Sequence, residues 1–469
     1  MSDHGHAVSS ASVADEGNSG VKLIPSGANG PKEHRRASTL LASIMIVASC
    51  VIVPHGRPFV FDAGTYWGSA RQLLHLDMHM TNLHLRGVFT AVMYLPAVVA
   101  AQILKSVPPA IFVELQNGLL LVLLCVGVIP RLIGAWARPT AMTTWTASIL
   151  GSLLLSRFSP YPLTDLWGGT LILLAVVMLA RGNRLAGFVA GLAGSSAFNV
   201  RPAYLACLVL LTAGIFIVRG RSGIFFLLGG FAGLLPQVLV NLVMDGRWYP
   251  WPKEMSSIAG LQAGYGAYVV RYDTVAYAPA PDPRLFHCSP DMAALVGPSP
   301  PASVPELLRF FGSHLPEAAV FLGQKMAAAF YWPAATPYFG PARKSDVLVA
   351  ASVIFVTTCG VGALLRRLPL RSVPGDRIVG LGVLSVLLGS MTTLLTSTPE
   401  TRFALPVLVL GITGCALVTT EWARDRRLPL SVPVLLLVVS SSVAVLAAAP
   451  VSLEHPMSGA ATSERCSHS

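Results

Sequence analysis

Gly87-Val88-Phe89-Thr90-Ala91-Val92-Met93-Tyr94-Leu95-Pro96-Ala97-Val98-Val99-Ala100-Ala101-Gln102-Ile103-Leu104 is the stretch on which the topology turns. It is apolar and nearly long enough to cross a hydrocarbon core, yet it carries a proline inside. Eleven other apolar runs accompany it, near 40–54, 110–130, 140–157, 166–180, 185–200, 203–218, 223–243, 346–365, 378–396, 403–420 and 430–449. Short basic clusters separate them: Arg131 to Arg138, Arg181-Gly182-Asn183-Arg184, Arg219-Gly220-Arg221, Arg366-Arg367 through Arg377, and Arg424-Asp425-Arg426-Arg427. Cytoplasmic loops collect arginine and lysine. With Arg35-Arg36 inside, all these clusters fall inside only if 87–104 does not cross, so we read it as a juxtamembrane or re-entrant helix. The expectation is an all-α polytopic membrane protein of about eleven transmembrane helices, with a long first outer loop at 55–109 and a large outer loop at 245–345 between spans seven and eight.

Composition points the same way. Hydrophobic residues make up 53% of the 469 residues and charged residues 12%, too few charges to cover a soluble surface of this size. The net charge of +11 comes from the clustered arginines, which makes it a topology signal; no aromatic-interleaved basic patch suggests nucleic acid. Residues 1–37 are rich in Ser, Gly and Ala without periodicity and read as a disordered cytoplasmic segment, 38–450 as the transmembrane domain, and 451–469 as a disordered tail. Cys50, Cys125, Cys207, Cys359 and Cys415 lie in apolar runs and read as packing residues. Cys288 and Cys466 fall in polar segments, which leaves a disulfide between them open. His287-Cys288 is too sparse for a metal site and no Asp-x-Asp pair occurs, so no metal or other cofactor is expected.

The parity sorts the polar residues. Asp62, with Tyr66, Trp67 and Arg71 after it, falls on the outer side, as do Asp165, Arg201, the 245–345 loop with Lys325, and Glu400 with Arg402. A single carboxylate can take the proton from an attacking hydroxyl, and Asp62 is the candidate base; it would equally cap a helix. Tyr66 and Trp67 could stack on a bound ligand or sit as interfacial aromatics. Arg71, Arg201, Lys325 and Arg402 are the candidate anion holders, with headgroup contact as the plain alternative. Asp165 follows Thr164 at a span start, where capping competes with a binding role. Gln237 and Asn241 share a helix face and would point into a cavity or join helices. Glu400 and Arg402, two apart, would face apart on a helix and take different partners, Arg402 either Asp165 or an anion.

The order Asp62…Tyr66-Trp67, Tyr161-Pro162-Leu163-Thr164-Asp165, Arg201-Pro202, Pro236-Gln237…Asn241 into Asp245-Gly246-Arg247-Trp248-Tyr249-Pro250, and Pro399-Glu400-Thr401-Arg402-Phe403 resembles the integral-membrane glycosyltransferases of the C superfamily. The likeness is to the protein O-mannosyltransferase and lipid A aminoarabinose transferase branch, over about 38–420. Ala63 stands where many of those proteins carry a second acid. The resemblance implies a polyprenyl-phosphate-linked sugar donor, an envelope acceptor that is lipid, glycan or protein, and transfer on the outer side of a bacterial inner membrane; on it Tyr66, Trp67 and Glu400 would meet the sugar, and Arg71, Arg201, Lys325 or Arg402 the donor phosphate. A transporter or flippase of lipid-linked intermediates and a non-catalytic assembly subunit of the same fold are the alternatives.

Overall fold

A computed structural model describes residues 30–52, 58–75, 81–275, 284–332, 336–339, 346–369, 373–425, 432–454, 456–459 and 461–468. The chain is mostly helical. In order come α1 (Gly30–Ile52), α2 (Phe61–Leu74), α3 (Thr81–Arg86), α4 (Val88–Ile103) and α5 (Pro109–Val122), which runs on through a π-helical stretch into α6 (Ile129–Ile133). Then follow α7 (Ala141–Leu155), α8 (Asp165–Arg181), α9 (Arg184–Val200), α10 (Leu205–Arg219) and α11 (Ile224–Asp245). The next stretch holds α12 (Lys253–Gly266), β1 (Val269–Thr274), β2 (Arg284–Cys288), α13 (Pro290–Val296), α14 (Val304–Ser313) and α15 (Leu315–Phe330). Last are α16 (Asp346–Arg366), α17 (Pro374–Thr396), α18 (Leu405–Asp425), α19 (Val432–Val451), β3 (Pro456–Ser458) and α20 (Ser463–Ser467).

Six helical segments among the described residues are long and apolar enough to cross a membrane: Pro109–Ile133, Pro202–Arg219, Ile224–Asp245, Asp346–Arg366, Pro374–Thr396 and Thr401–Arg424. The runs read as further spans are helical too, but α7, α8 and α9 have only 15 to 17 residues, about 25 Å at most. Apolar residues on these helices stay exposed, such as Leu153, Ile217 and Phe231, as a bilayer would require. Small residues let the helices approach closely. A Cβ on Gly360 would stand 1.8 Å from the Gly411 carbonyl oxygen, so α16 and α18 meet backbone to backbone.

The stretch that decides the topology behaves as its proline demands. The helical bond from Ala97 to Met93 is replaced: the Ala97 amide donates to Gln116 Oε1 (3.1 Å), and Gln116 Nε2 donates to the Met93 carbonyl (2.6 Å). A side chain from α5 thus completes α4 around Pro96. The chain leaves α1 and works through α5 at one end of the bundle, since Ser159 binds both the Cys50 carbonyl and Asn117. Helices α2 to α4 therefore lie at that end, between the two.

Three expectations need correction. The 245–345 segment, read as a partly ordered flap, has its own apolar core of Tyr268, Val269, Phe286, Met292, Leu307 and Phe321 among others. The tail, read as disordered from 451, belongs to that core. Its β3 pairs antiparallel with β2, Tyr268 donates to the Ala461 carbonyl (2.9 Å), and Cys466 is disulfide-bonded to Cys288. Few apolar residues are needed when a strand ladder and a disulfide hold a segment. The fold is accordingly helical with one small sheet, ordered β1-β2-β3. Of residues 1–37, read as disordered, 30–37 are helical as the start of α1, and 1–29 lie outside the described residues.

Candidate functional site

Four helix ends and two short helices, α3 and α12, meet at the end of the bundle that holds the disulfide unit. Asp62 lies in the first turn of α2, whose N-cap, Val60, makes no side-chain cap bond. Its carboxylate turns to two guanidiniums, Arg402 Nη2 at 2.8 Å and Arg86 Nη2 at 3.2 Å. Phe61, just before it, has φ 49°, the one non-glycine residue at positive φ among the described residues. That conformation costs about 1–3 kcal/mol and persists only where the surroundings impose it; here the Phe61 and Tyr338 rings meet edge to face at 5.7 Å, and Tyr338 Oη bonds both Val60 O and Ala63 N at 3.3 Å.

Arg402 is the hub. It stands in a 3₁₀ turn opening α18 and is buried. Nη2 donates to both Asp62 and Glu400 Oε1 (2.9 Å), and Nε is 2.5 Å from Glu400 Oε2. Glu400 and Arg402 therefore pair with each other, against expectation. Glu400 is extended, with φ −91° and ψ 152°, so the helical spacing rule does not apply. Asp165, the first residue of α8, binds Arg201 Nη2 instead of capping its helix. The Arg201 guanidinium also lies 4.8 Å from the centroid of the Phe403 ring. Arg402 Nη1 and Asp165 Oδ2 are 3.9 Å apart, too far for a hydrogen bond, and neither atom has a hydrogen-bond partner among the described residues.

The network continues outward through two residues that the sequence reading did not select. Arg86, at the end of α3, joins Asp62 to Glu254 of α12 (2.5 Å). Gly87 makes this geometry possible: at φ 97° a Cβ would lie 2.4 Å from the Asn199 carbonyl oxygen, so only glycine turns α3 into α4 here. Side-chain exposure grades from 3% at Arg402 and Asp165 to 24% at Asp62 and 27% at Arg86 and Glu254. Asp62 is the carboxylate nearest the open edge that still touches the buried hub. A narrow cleft of about 20 Å³, room for one water, reaches the inner end between Asp165, Arg201, Tyr204, Ser390, Thr393, Arg402 and Phe403.

Charge balance sets the titration of the outer members. Burial works to raise the Asp62 carboxyl, but Arg402 and Arg86 outweigh it and hold the group below the usual aspartate range. For Glu400 and Glu254 burial wins over their arginine partners, and both are pushed up. Burial also drives the Tyr66 phenol up to about 12, with Asp62 adding to it.

The other candidates do different work. Tyr66 and Trp67 are buried, and Trp67 packs on Phe59 with ring centroids 4.9 Å apart, so neither offers a free face to a sugar. Arg71 is exposed and makes no ion pair among the described residues. Gln237 accepts from the Val88 amide (2.9 Å) and Asn199 Nδ2 (3.1 Å) and donates to Asn241, which in turn donates to the Tyr249 and Trp251 carbonyls. These two residues join α11 to α4 and α9. Lys325 is buried, its ammonium donating to the carbonyls of Gly266, Leu395 and Ser397. It clamps the carbonyl end of α17, where cations are favoured, and so fixes the strand that leads to Glu400. It is not placed to hold a phosphate.

Among the described residues no three His, Cys, Asp or Glu side chains are grouped to hold a metal ion. The fold and site thus define a mostly helical protein, with helices suited to a bilayer and an interleaved carboxylate–guanidinium network at one end. Comparison with protein-family models, with curated proteins and with solved structures finds no match.

Proposed function

We propose that the protein is an integral membrane glycosyltransferase, moving a sugar from a polyprenyl-phosphate donor to a hydroxyl of an envelope acceptor, with Asp62 as general base. The observation that carries this reading is convergence: Asp62, Asp165, Arg201, Glu400 and Arg402, spread over some 340 residues, form one network at one end of the bundle. In this reading the bundle has about eleven spans in a bacterial inner membrane, the arginine clusters face the cytoplasm, and the network faces outward. The Cys288–Cys466 disulfide supports that orientation, since disulfides persist in oxidising compartments.

The acceptor oxygen bonds to the anomeric carbon as the bond from that carbon to the phosphate oxygen breaks. Asp62 takes the acceptor proton, and the polyprenyl phosphate leaves with its charge held by guanidinium. At rest, Arg402 and Arg86 weaken Asp62 as a base. A donor phosphate drawn to these arginines competes with the carboxylate for them and raises its basicity as the site fills. The cleft beside Arg201 and Arg402 must widen to admit a phosphate, so donor binding separates α18 from α10 and α17.

The saturation of Asp62 by two arginines favours a second reading, a non-catalytic assembly subunit in which the network is a clasp. Purified protein offered a panel of lipid-linked sugars distinguishes the two. Transfer that wild type performs and folded Asp62→Asn does not supports catalysis, and equal transfer by both removes Asp62 from the mechanism. No transfer by wild type with any donor favours the subunit.

A further inference from the structure

At the opposite end of the bundle, the turn between α8 and α9, the end of α10 and the start of α11 enclose a cavity of about 470 Å³. Leu179, Ile215, Phe225 and Phe226 form apolar walls, and Arg184 and Arg219 stand among the lining residues with no carboxylate. Arg219 is fixed in place: Nη1 donates to the Gly182 carbonyl (3.1 Å) and Nη2 to that of Ala180 (3.4 Å). Its Nε is buried without a hydrogen-bond partner among the described residues. Gly182, at φ 78°, leaves the space the guanidinium uses, since a Cβ there would stand 2.3 Å from Nη1. The Arg184 guanidinium lies 5.5 Å from the centroid of the Phe225 ring. Neither arginine makes an ion pair among the described residues. Exposed apolar side chains, Leu185, Ile217, Ile224 and Leu228, come from the same helix ends.

Two positioned cations over apolar walls suit an amphiphile with an anionic head. A free anion would leave the walls unused, and a zwitterionic lipid would gain less from uncompensated guanidinium. We propose that this cavity binds the headgroup of an anionic phospholipid, its phosphate between Arg184 and Arg219 and its acyl chains beside Ile217, Ile224 and Leu228. Guanidinium holds phosphate oxygens bidentately, and basic pockets between membrane helices are suited to such headgroups. The inference rests on the helices lying in a bilayer and is independent of sugar transfer.

Native mass spectrometry of the full-length protein in mild detergent, offered equal phosphatidylglycerol and phosphatidylcholine, tests it. Wild type is expected to retain phosphatidylglycerol about tenfold over phosphatidylcholine. Arg184→Ala/Arg219→Ala should bring the ratio close to one, Arg184→Lys/Arg219→Lys should keep part of it, and Arg131→Ala, at the same end, should leave it unchanged. Equal retention by wild type overturns the proposal, as does an undiminished ratio in a double alanine variant that unfolds at the wild-type temperature. If that variant does not fold, Arg184→Gln alone, at an exposed position, is expected to lower the ratio, and an unchanged ratio counts against the site. Millimolar inorganic phosphate should not displace the lipid; displacement would make this an ion site.

Discussion

The two ends of the helical bundle both carry arginine, and they use it differently. At one end Arg86, Arg201 and Arg402 are interleaved with Asp62, Asp165, Glu254 and Glu400, so each guanidinium meets carboxylate. At the other, Arg131 and Arg219 donate to backbone carbonyls, Arg184 lies over a ring, and Arg367 pairs with an acid, Glu421. Helix C-termini can hold a cation by their carbonyls alone. A buried guanidinium needs carboxylate as well, or desolvation would exclude it. One end is thus a set of separate charges for water and headgroups, and the other is a closed network whose members depend on each other.

The largest expected effect breaks that dependence. Arg402→Ala takes from Glu400 its guanidinium and leaves Asp62 with Arg86 alone, in a site where the arginine was 3% exposed, and is expected to cost about 3–5 kcal/mol in thermal unfolding. Arg219→Ala, half-buried and held by carbonyls, is expected to cost about 1 kcal/mol or less. Equal losses would dissolve the distinction between the ends. Next comes the unit stapled over the network. Its disulfide closes a separation of 178 residues, and Cys288→Ser/Cys466→Ser is expected to lose about 2–5 kcal/mol, seen as proteolysis confined to the 245–331 segment and the tail. Lys325→Met leaves three carbonyls without their donor. We expect about 1–3 kcal/mol, and exchange of the amides near Glu400 faster than of those at Arg219.

The smallest effect is in pH. Glu254 and Glu400 are raised in the fold, so their charged forms are disfavoured there; stability should rise slightly as pH falls from neutral through their range. Asp62 is lowered, so what it contributes is fully present above the ordinary aspartate range and is lost as pH falls below it. Unfolding temperatures recorded from neutral pH into acid should show a shallow rise and then a drop. Asp62→Asn should flatten the drop, and Glu254→Gln should reduce the rise.

Asp62, Asp165, Arg201, Glu400 and Arg402 were legible because apolar runs and basic clusters fix where each helix begins and ends, and these residues stand at ends. Arg86 and Glu254 were not, since each sits in a short extramembrane helix outside that pattern. The glycine directly after Arg86 was the available signal, because it marks a turn no other residue makes. Lys325 was read as a phosphate holder, and Gln237 and Asn241 as reaching into a cavity or joining helices; their partners are carbonyls, amides and amide side chains brought from elsewhere, which a sequence does not display, and for Gln237 and Asn241 they make the joining role the observed one. For the tail the missing information was long-range: the pairing of Cys288 with Cys466 and of β3 with β2 turns a polar segment into part of a core. Eleven apolar runs were read as spans, yet six helical segments among the described residues are long and apolar enough to cross a membrane by themselves; α7, α8 and α9 need neighbours and interfacial residues to complete them.

The most direct test of the central claim is mass spectrometry of envelope glycoconjugates from cells lacking the protein, complemented with wild type or with Asp62→Asn at matched membrane levels. We expect one glycan to return with wild type and to stay absent, or fall by about 10²–10⁴-fold, with the variant. Return of that glycan to the wild-type level with Asp62→Asn would contradict the account.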